Sequence, residues 1–356
     1  MEKPGGPFTI RDIDIQAPER DEVLVKIAAA GICHTDLTTR HRWPAERCPM
    51  VFGHEGAGVV EAVGEAVTTV SPGDTVCLSY RSCGVCEQCA GGHTAYCDKA
   101  GALNVSGSRM DGSTCHSLEG APVFGSYFGQ SSFATYALAY ESNTVTVPAD
   151  LPPALAAPLG CSVQTGAGTV LNVLQPPPGT ALAVFGAGSV GLSAVMAAVA
   201  EGCTVIAVEP VAARRDKALE LGASAVVDPT AENDVAAIVR EHTGGGTHYA
   251  VDTTGQSAVI TQAITALRNR GSLALVGIGA QAEFNVMAVM TKGIRIHGVI
   301  EGEAVPSEFI PRLIGLYQRG QLPLERLITE FPLHDIEAAA QAAASGQVIK
   351  PVLSLG

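Results

Sequence analysis

The chain has 356 residues, 47% hydrophobic and 16% charged, a composition that excludes disorder and a length that fits two domains of ordinary size. Its 35 acidic against 22 basic residues give a net charge of −13, which repels polyanions at long range and excludes nucleic acid as an expected partner. Eight charged residues in the first 21 leave no apolar core for a secretory signal there. A reducing cytosol is therefore the expected compartment, where clustered cysteines bind metal more often than they pair.

Along the chain, runs at 22–28, 58–63, 75–78, 133–138 and 144–147 are broken by glycine, proline and aspartate. They read as short antiparallel strands of a β-rich domain with long loops. Among them lies a glycine-rich loop in which Cys83, Cys86, Cys89 and Cys97 are spaced C-x2-C-x2-C-x7-C. Four clustered thiols of this kind read as a closed tetrahedral metal site, which holds structure and does no chemistry. Iron–sulfur ligation uses similar spacing but brings redox activity for which the rest of the chain has no use. Pro-rich pieces at 151–153 and 175–179 read as a hinge and a loop.

From Ala181 onward, short apolar runs at 181–185, 204–208, 225–227, 248–252, 272–276 and 294–299 alternate with helical segments at 190–200, 212–221, 235–241 and 257–267. That alternation predicts an α/β fold with a doubly wound parallel sheet of about six strands. Residues 181–200 carry no charge and are about as long as a membrane span, but the glycine turn inside them favours strand-turn-helix, so no membrane partner is expected. A helix at 309–319 and a strand at 348–355 are expected to return to the first domain. The expected boundaries are 1–161 with 300–356 for the β-rich domain, and 162–299 for the parallel-sheet domain.

Two constellations carry chemistry. Gly186, Gly188 and Gly191 stand at G-x-G-x-x-G spacing after a strand and open a helix, which lets backbone approach a pyrophosphate at the helix N-terminus. Glu209, 18 residues past Gly191 at the end of the next strand, can accept hydrogen bonds from an adenosine ribose diol and would repel a 2′-phosphate, so NAD is expected over NADP. The second constellation is Gly53-His54-Glu55-Gly56 with cysteines far away in sequence. Six cysteines lie outside the loop, and spacing alone does not choose between Cys33, Cys48, Cys77, Cys115, Cys161 and Cys203.

The pattern Gly53-His54-Glu55-x-x-Gly58-x5-Gly64-x2-Val67, together with the cysteine loop, Gly160-Cys161 and the glycine fingerprint, resembles the zinc-dependent medium-chain alcohol dehydrogenases over essentially the whole chain. Cys33-His-Thr-Asp-Leu37 and Phe128-Gly-Gln-Ser-Ser-Phe133 are most similar to the aryl-alcohol branch, whose substrates are benzyl-type and allylic alcohols. The resemblance implies a GroES-like first domain and a Rossmann second domain, and two zinc ions per chain: a catalytic one on Cys33, His54 and Cys161, and a structural one on the four-cysteine loop. The catalytic zinc would lower the pKa of a bound alcohol and make hydride loss to NAD accessible.

Asp36 would hold the far nitrogen of His54, Glu55 would lie behind the metal, and Thr35 would take the alcohol proton. Thr38 stands where the family often ends the proton relay in histidine; His41 or water is left to replace it. His34 and Lys350 match cationic positions on either side of the cofactor pyrophosphate, and Ser189, Val190, Arg214 and Val276 complete the expected cofactor set. Trp43, Tyr80, Tyr127 and Phe128 are expected to wall an apolar substrate pocket, which Ser79 would widen. The resemblance also implies a homodimer or homotetramer paired through the 294–299 strand. Alternatives are a glutathione-dependent formaldehyde dehydrogenase or a short-chain aliphatic alcohol dehydrogenase of the same fold, and, from another class, a catalytically silent dinucleotide-binding sensor.

Overall fold

The computed structural model describes residues 1–279 and 281–355 and divides into two units. The first takes Met1–Cys161, Val305–Arg312 and the residues from Leu324 onward; the second takes Ser162–Ala304 and Leu313–Pro323. The expected assignment of 300–356 wholly to the first domain is thus corrected over 300–304 and 313–323. Backbone contact explains the first of these stretches: a Cβ on Gly168 would stand 2.5 Å from the Gly302 carbonyl oxygen, so two glycines allow the segments to touch.

In the second unit six strands form one parallel sheet in the order Ala225–Val227, Thr204–Val208, Ala181–Phe185, Thr247–Asp252, Leu267–Leu275, Arg295–Gly298. The Ala181–Phe185 strand is buried throughout, as a strand covered on both faces must be. Strand order reverses between it and Thr247–Asp252, so right-handed crossovers send helices to opposite faces on the two sides of that point. The uncharged stretch 181–200 is the Ala181–Phe185 strand and the Ser189–Ala200 helix, and no helix among the described residues is long and apolar enough to cross a membrane. The doubly wound α/β reading of this region therefore holds.

In the first unit the sheet runs Ile328–Pro332, Lys350–Ser354, Glu22–Gly31, Gly56–Val63, Thr75–Leu78, Thr144–Thr146, with Tyr136–Tyr140 also paired to Glu22–Gly31. All its pairings are antiparallel except the one between Ile328–Pro332 and Lys350–Ser354. Val23, Val25, Ile27, Val60, Val76 and Leu78 fill its core. A second cluster is aromatic, built on Phe8, Trp43, Phe52 and Tyr127. The C-terminal strand brings Val352 opposite Gly31, two residues before Cys33.

Candidate active site

Cys33, His54, Glu55 and Cys161 come together in the first unit although as many as 128 residues separate them: their ligand atoms all lie within 4.8 Å of one another. Cys33 follows the Glu22–Gly31 strand and opens the His34–Arg42 helix. His54 and Glu55 sit in the turn before Gly56–Val63, where Gly53 has φ +107 and a Cβ would come 2.5 Å from the Phe133 nitrogen, so glycine is required on both counts. Cys161 ends the short helical turn Ala157–Gly160; a Cβ on Gly160 would stand 1.9 Å from the Leu78 carbonyl oxygen.

Asp36 organises two of these residues. One carboxylate oxygen lies 2.9 Å from His54 Nδ1, with both side chains fully buried, and the other accepts the Cys33 N–H at 3.0 Å. With Nδ1 held by Asp36, the buried Nε2 is the nitrogen left to face the cysteine sulfurs. A hydrogen bond from Cys161, then the His54 imidazole, hold the Cys33 thiol well below its usual range against the cost of burial. Burial opposes charge on His54, but Asp36 outweighs it and raises the imidazole well above its ordinary value. Two cysteine sulfurs, that of Cys33 held toward the thiolate, and one imidazole nitrogen are the donor set of an open zinc site, and they fit that ion. Thr35 Oγ1 lies 3.6 Å from Cys33 Sγ. His41, exposed on the same helix six residues on, is about 9 Å from Thr35 along the axis, beyond direct proton exchange.

Lys350 is not the pyrophosphate-facing cation expected from the sequence. Its ammonium is buried and donates to both Glu55 carboxylate oxygens at 3.0 and 2.9 Å and to the Ile32 carbonyl at 3.0 Å, which uses all three of its protons. Burial would lower its pKa, but the Glu55 carboxylate raises it, so the pair is ionic. A Cβ on Gly31 would fall 2.0 Å from Glu55 Oε2, so glycine makes room for that carboxylate behind the cluster.

The aromatic wall is also redrawn. Trp43 and Tyr127 are buried and stack edge-on, with ring centroids 6.1 Å apart, while Tyr127 meets the His54 ring at 5.6 Å. They form the packed backing of a ligand. The Tyr80 hydroxyl is bonded to Thr94 Oγ1 at 2.6 Å. Phe128, half-buried, lies stacked on His54 at 4.5 Å and is the member with a face left to offer an apolar ligand. Ser79 is buried, and its hydroxyl donates to the Gly160 carbonyl at 2.6 Å.

Gln130, which the sequence reading did not single out, joins these parts. Its amide donates to the carbonyls of His54 at 3.1 Å and Ser79 at 3.0 Å and accepts from the Gly56 N–H at 3.0 Å. Asn143 also donates to the Ser79 carbonyl, at 3.0 Å. One buried side chain thereby couples the His54 turn to the Ser79–Gly160 contact that sets Cys161. The only signal for it in sequence is a glutamine inside an otherwise small and apolar run at 128–133.

The four-cysteine loop forms a second cluster, again with ligand atoms within 4.8 Å of one another, and none of the ten cysteines is in a disulfide. Cys83–Cys89 and Cys86–Cys97 sulfur pairs are 4.0 Å apart, close to the edge of about 3.8 Å of a tetrahedron with 2.3 Å bonds. Backbone N–H groups of Val85 and Cys86 lower the Cys83 thiol to about 6, and Cys97 Sγ accepts from the Cys83 and Lys99 N–H groups at 3.3 and 3.4 Å. Cys89 goes the other way, burial pushing its thiol up to about 12, and the four sulfurs at these separations fit zinc.

In the second unit Gly186 adopts φ +93, and a Cβ on Gly191 would fall 1.8 Å from the Gly186 carbonyl oxygen, so both glycines are dictated by the turn. Gly188 differs: a Cβ there meets nothing within 4 Å, leaving the N-terminus of the Ser189–Ala200 helix bare toward a ligand. Ser189 Oγ and Arg214 Nε are buried without hydrogen-bond partners. A Cβ on Gly166 would fall 2.1 Å from the Val190 carbonyl oxygen, and the Val276 N–H donates to Asp252 at the carboxyl end of the sheet. Glu209 is buried beside this turn and accepts from the Ala187 N–H at 2.7 Å and the Val211 N–H at 2.9 Å, which fixes its carboxylate at the end of Thr204–Val208. His34 is exposed at the start of its helix.

Comparison with known proteins accords with both halves. The family described as alcohol dehydrogenase GroES-like domain matches residues 19–149, and that described as zinc-binding dehydrogenase matches 189–319. Geraniol dehydrogenase of Castellaniella defragrans is 45% identical over 98% of this chain and 95% of its own length. The crystal structure of an alcohol dehydrogenase zinc-binding domain protein from Burkholderia ambifaria is 48% identical with a TM-score of 0.96, covering 100% of this chain and 97% of that one. That of benzyl alcohol dehydrogenase from Acinetobacter calcoaceticus is 40% identical with a TM-score of 0.95, covering 100% and 98%. Zinc and NAD, the cofactors expected from the sequence, are consistent with these matches. By sequence, by fold and by the donor sets in its first unit, the chain belongs to the zinc-dependent medium-chain alcohol dehydrogenases.

Proposed function

We propose that this alcohol dehydrogenase is NAD-dependent and interconverts a primary aromatic or allylic alcohol and its aldehyde. The observation that carries the reading is the convergence of Cys33, His54 and Cys161 with Asp36 on the far nitrogen of the imidazole. The substrate class is supported by the half-buried face of Phe128 beside His54 and by relatives named for geraniol and benzyl alcohol.

Cys33, His54 and Cys161 would hold the zinc, which when bound supplies Lewis acidity toward the alcohol oxygen. Asp36 fixes the tautomer of His54 and, through the Cys33 N–H, the position of the thiolate. The Thr35 hydroxyl, next to Cys33, is placed to receive the alcohol proton, and His41, about 9 Å further along the helix axis, is too far to take it directly. Gly186, Gly188, Gly191 and the N-terminus of Ser189–Ala200 would seat the NAD pyrophosphate, with Ser189, Val190, Arg214 and Val276 around it and Glu209 on the ribose diol. The Lys350–Glu55 pair balances charge behind the ligands.

A kcat/KM panel with NAD tests the substrate class. Burying a ring or an isoprenoid chain in place of ethanol's methyl group is worth about 1.5–3 kcal/mol, so benzyl alcohol or geraniol is expected to exceed ethanol by roughly 10- to 100-fold. Ethanol or S-hydroxymethylglutathione equalling them would overturn it. For the cofactor, Glu209→Ala is expected to raise NADP use relative to NAD by roughly tenfold, because the like-charge repulsion of a 2′-phosphate is removed. Unchanged discrimination would remove the ribose contact from the reading.

We also propose a homo-oligomer. Ile278, Phe284, Val286, Met287, Met290 and Ile300 are exposed around the edge strand Arg295–Gly298, an apolar surface that a second copy would cover; light scattering reads this directly, and a monomer at micromolar concentration would refute it.

A further inference from the structure

At the amino ends of Thr247–Asp252, Leu267–Leu275 and Arg295–Gly298, the second unit holds a cavity of about 210 Å³ whose lining includes Arg268, Arg270, Arg295, His248, His297 and Asn269. No aspartate or glutamate lines it. None of the three arginines has an ion-pair partner among the described residues, in a chain whose net charge is −13. Surface arginines in an acidic protein ordinarily find a carboxylate; three that converge on a concavity without one leave up to fifteen N–H donors facing a common space.

His248 makes the need for an acceptor specific. Its Nδ1 accepts the Ala181 N–H at 3.1 Å, so the neutral ring carries its proton on Nε2. Arg268 Nη1 stands 2.6 Å from that same Nε2. Two donors therefore point at one another, and an oxyanion oxygen accepting from both would relieve the opposition. The glycine turn and Glu209 are at the carboxyl ends of the parallel strands, so this cavity lies at the opposite end of the strands from the cofactor machinery, about 15 Å away for a five-residue strand.

We propose that the cavity is a binding site for a small polyanion, a molecule of pyrophosphate or tricarboxylate size that carries at least two oxyanion groups gripped by Arg268, Arg270 and Arg295. Guanidinium forks match phosphate and carboxylate oxygens in pairs, which sets the ligand class by chemistry and leaves its source to be separated by experiment.

Isothermal titration of the full-length protein saturated with NAD, which blocks the cofactor's own pyrophosphate site, distinguishes the sources: one arm uses pyrophosphate, the other citrate, both at near-physiological ionic strength. Saturable binding of one molecule per chain is expected in at least one arm. It is expected to weaken at least about tenfold in the double variant Arg268→Gln/Arg295→Gln, with NAD affinity unchanged. Arg270→Gln alone, at an exposed position, gives the same reading should the double variant fail to fold. Equal binding by the variants, or no saturable binding in either arm, overturns the proposal. So does a variant that dissociates into monomers when the wild-type protein binds neither anion, since the arginines would then belong to a contact between copies.

Discussion

Cys161→Ser is expected to lower kcat/KM by at least about 10³-fold and to reduce bound zinc from two ions per chain to one, with the far-UV signature and the loop zinc retained. The backbone at this position is set by its neighbours. Gly160 fits only because it lacks a Cβ, and its carbonyl is pinned by the Ser79 hydroxyl. Serine therefore enters with little change in volume. What it removes is a sulfur ligand: an alcohol oxygen does not ionise near neutral pH, so the open site loses one of its two anionic donors when zinc is bound. Lewis-acid assistance is worth several kcal/mol, and each 1.36 kcal/mol is tenfold in rate, which is where the expected factor comes from. Zinc content measured on the same sample separates a lost metal from a misfolded chain. Wild-type kcat in the variant would sink the assignment of this cluster to the chemistry.

The parallel sheet was legible almost strand by strand, because buried strands between helices must be continuous apolar runs and those survive in composition alone. The exception is instructive. The expected helix runs to 267 and the expected strand starts only at 272, yet Leu267–Leu275 is one strand whose residues 268–270 are exposed. Arg268, Asn269 and Arg270 belong to the anion cavity, so local polarity there reports a site and not a loop. In the first unit the Ile328–Pro332 strand was not foreseen: it is short, ends in proline and pairs only at the sheet edge, where little burial is needed.

The donor set was legible in a different way. The loop cysteines announce themselves by spacing, since all four lie on one short segment. Cys33 and Cys161 do not, because only the fold brings them to His54, and the residues alone left them among six equals; the family resemblance supplied the choice. Lys350 shows the cost of reading charge without burial. A lysine opening an apolar strand looks like a cation offered to a phosphate, but within the sheet it is enclosed, and an enclosed ammonium needs a carboxylate, which Glu55 provides. Gln130 was invisible for the complementary reason: its value lies in three backbone partners from separate segments, none of which leaves a pattern in sequence.

Cys97→Ser should do the opposite of Cys161→Ser, costing stability and sparing chemistry. Cys97 is the buried member of the loop cluster, and its sulfur accepts two backbone N–H groups in addition to facing Cys86. Replacing it leaves those donors with a smaller, uncharged acceptor and opens a closed four-sulfur site. Structural zinc supplies about 10–16 kcal/mol of folding free energy in isolated fingers, where nothing else holds the chain. In this larger unit much of the loop is exposed and the core of Val23, Val25 and Val60 stands without it, so only a part of that, about 3–5 kcal/mol, should reach global stability. At about 2–4 °C per kcal/mol this is a fall of roughly 10 °C in Tm. Turnover at 25 °C should stay within about threefold of wild type, because no donor in the loop belongs to the Cys33, His54 and Cys161 cluster. Loss of one zinc with an unshifted Tm would contradict a structural role for the loop. A collapse of kcat with Tm unchanged would move the chemistry to the loop and reverse the assignment of the two clusters.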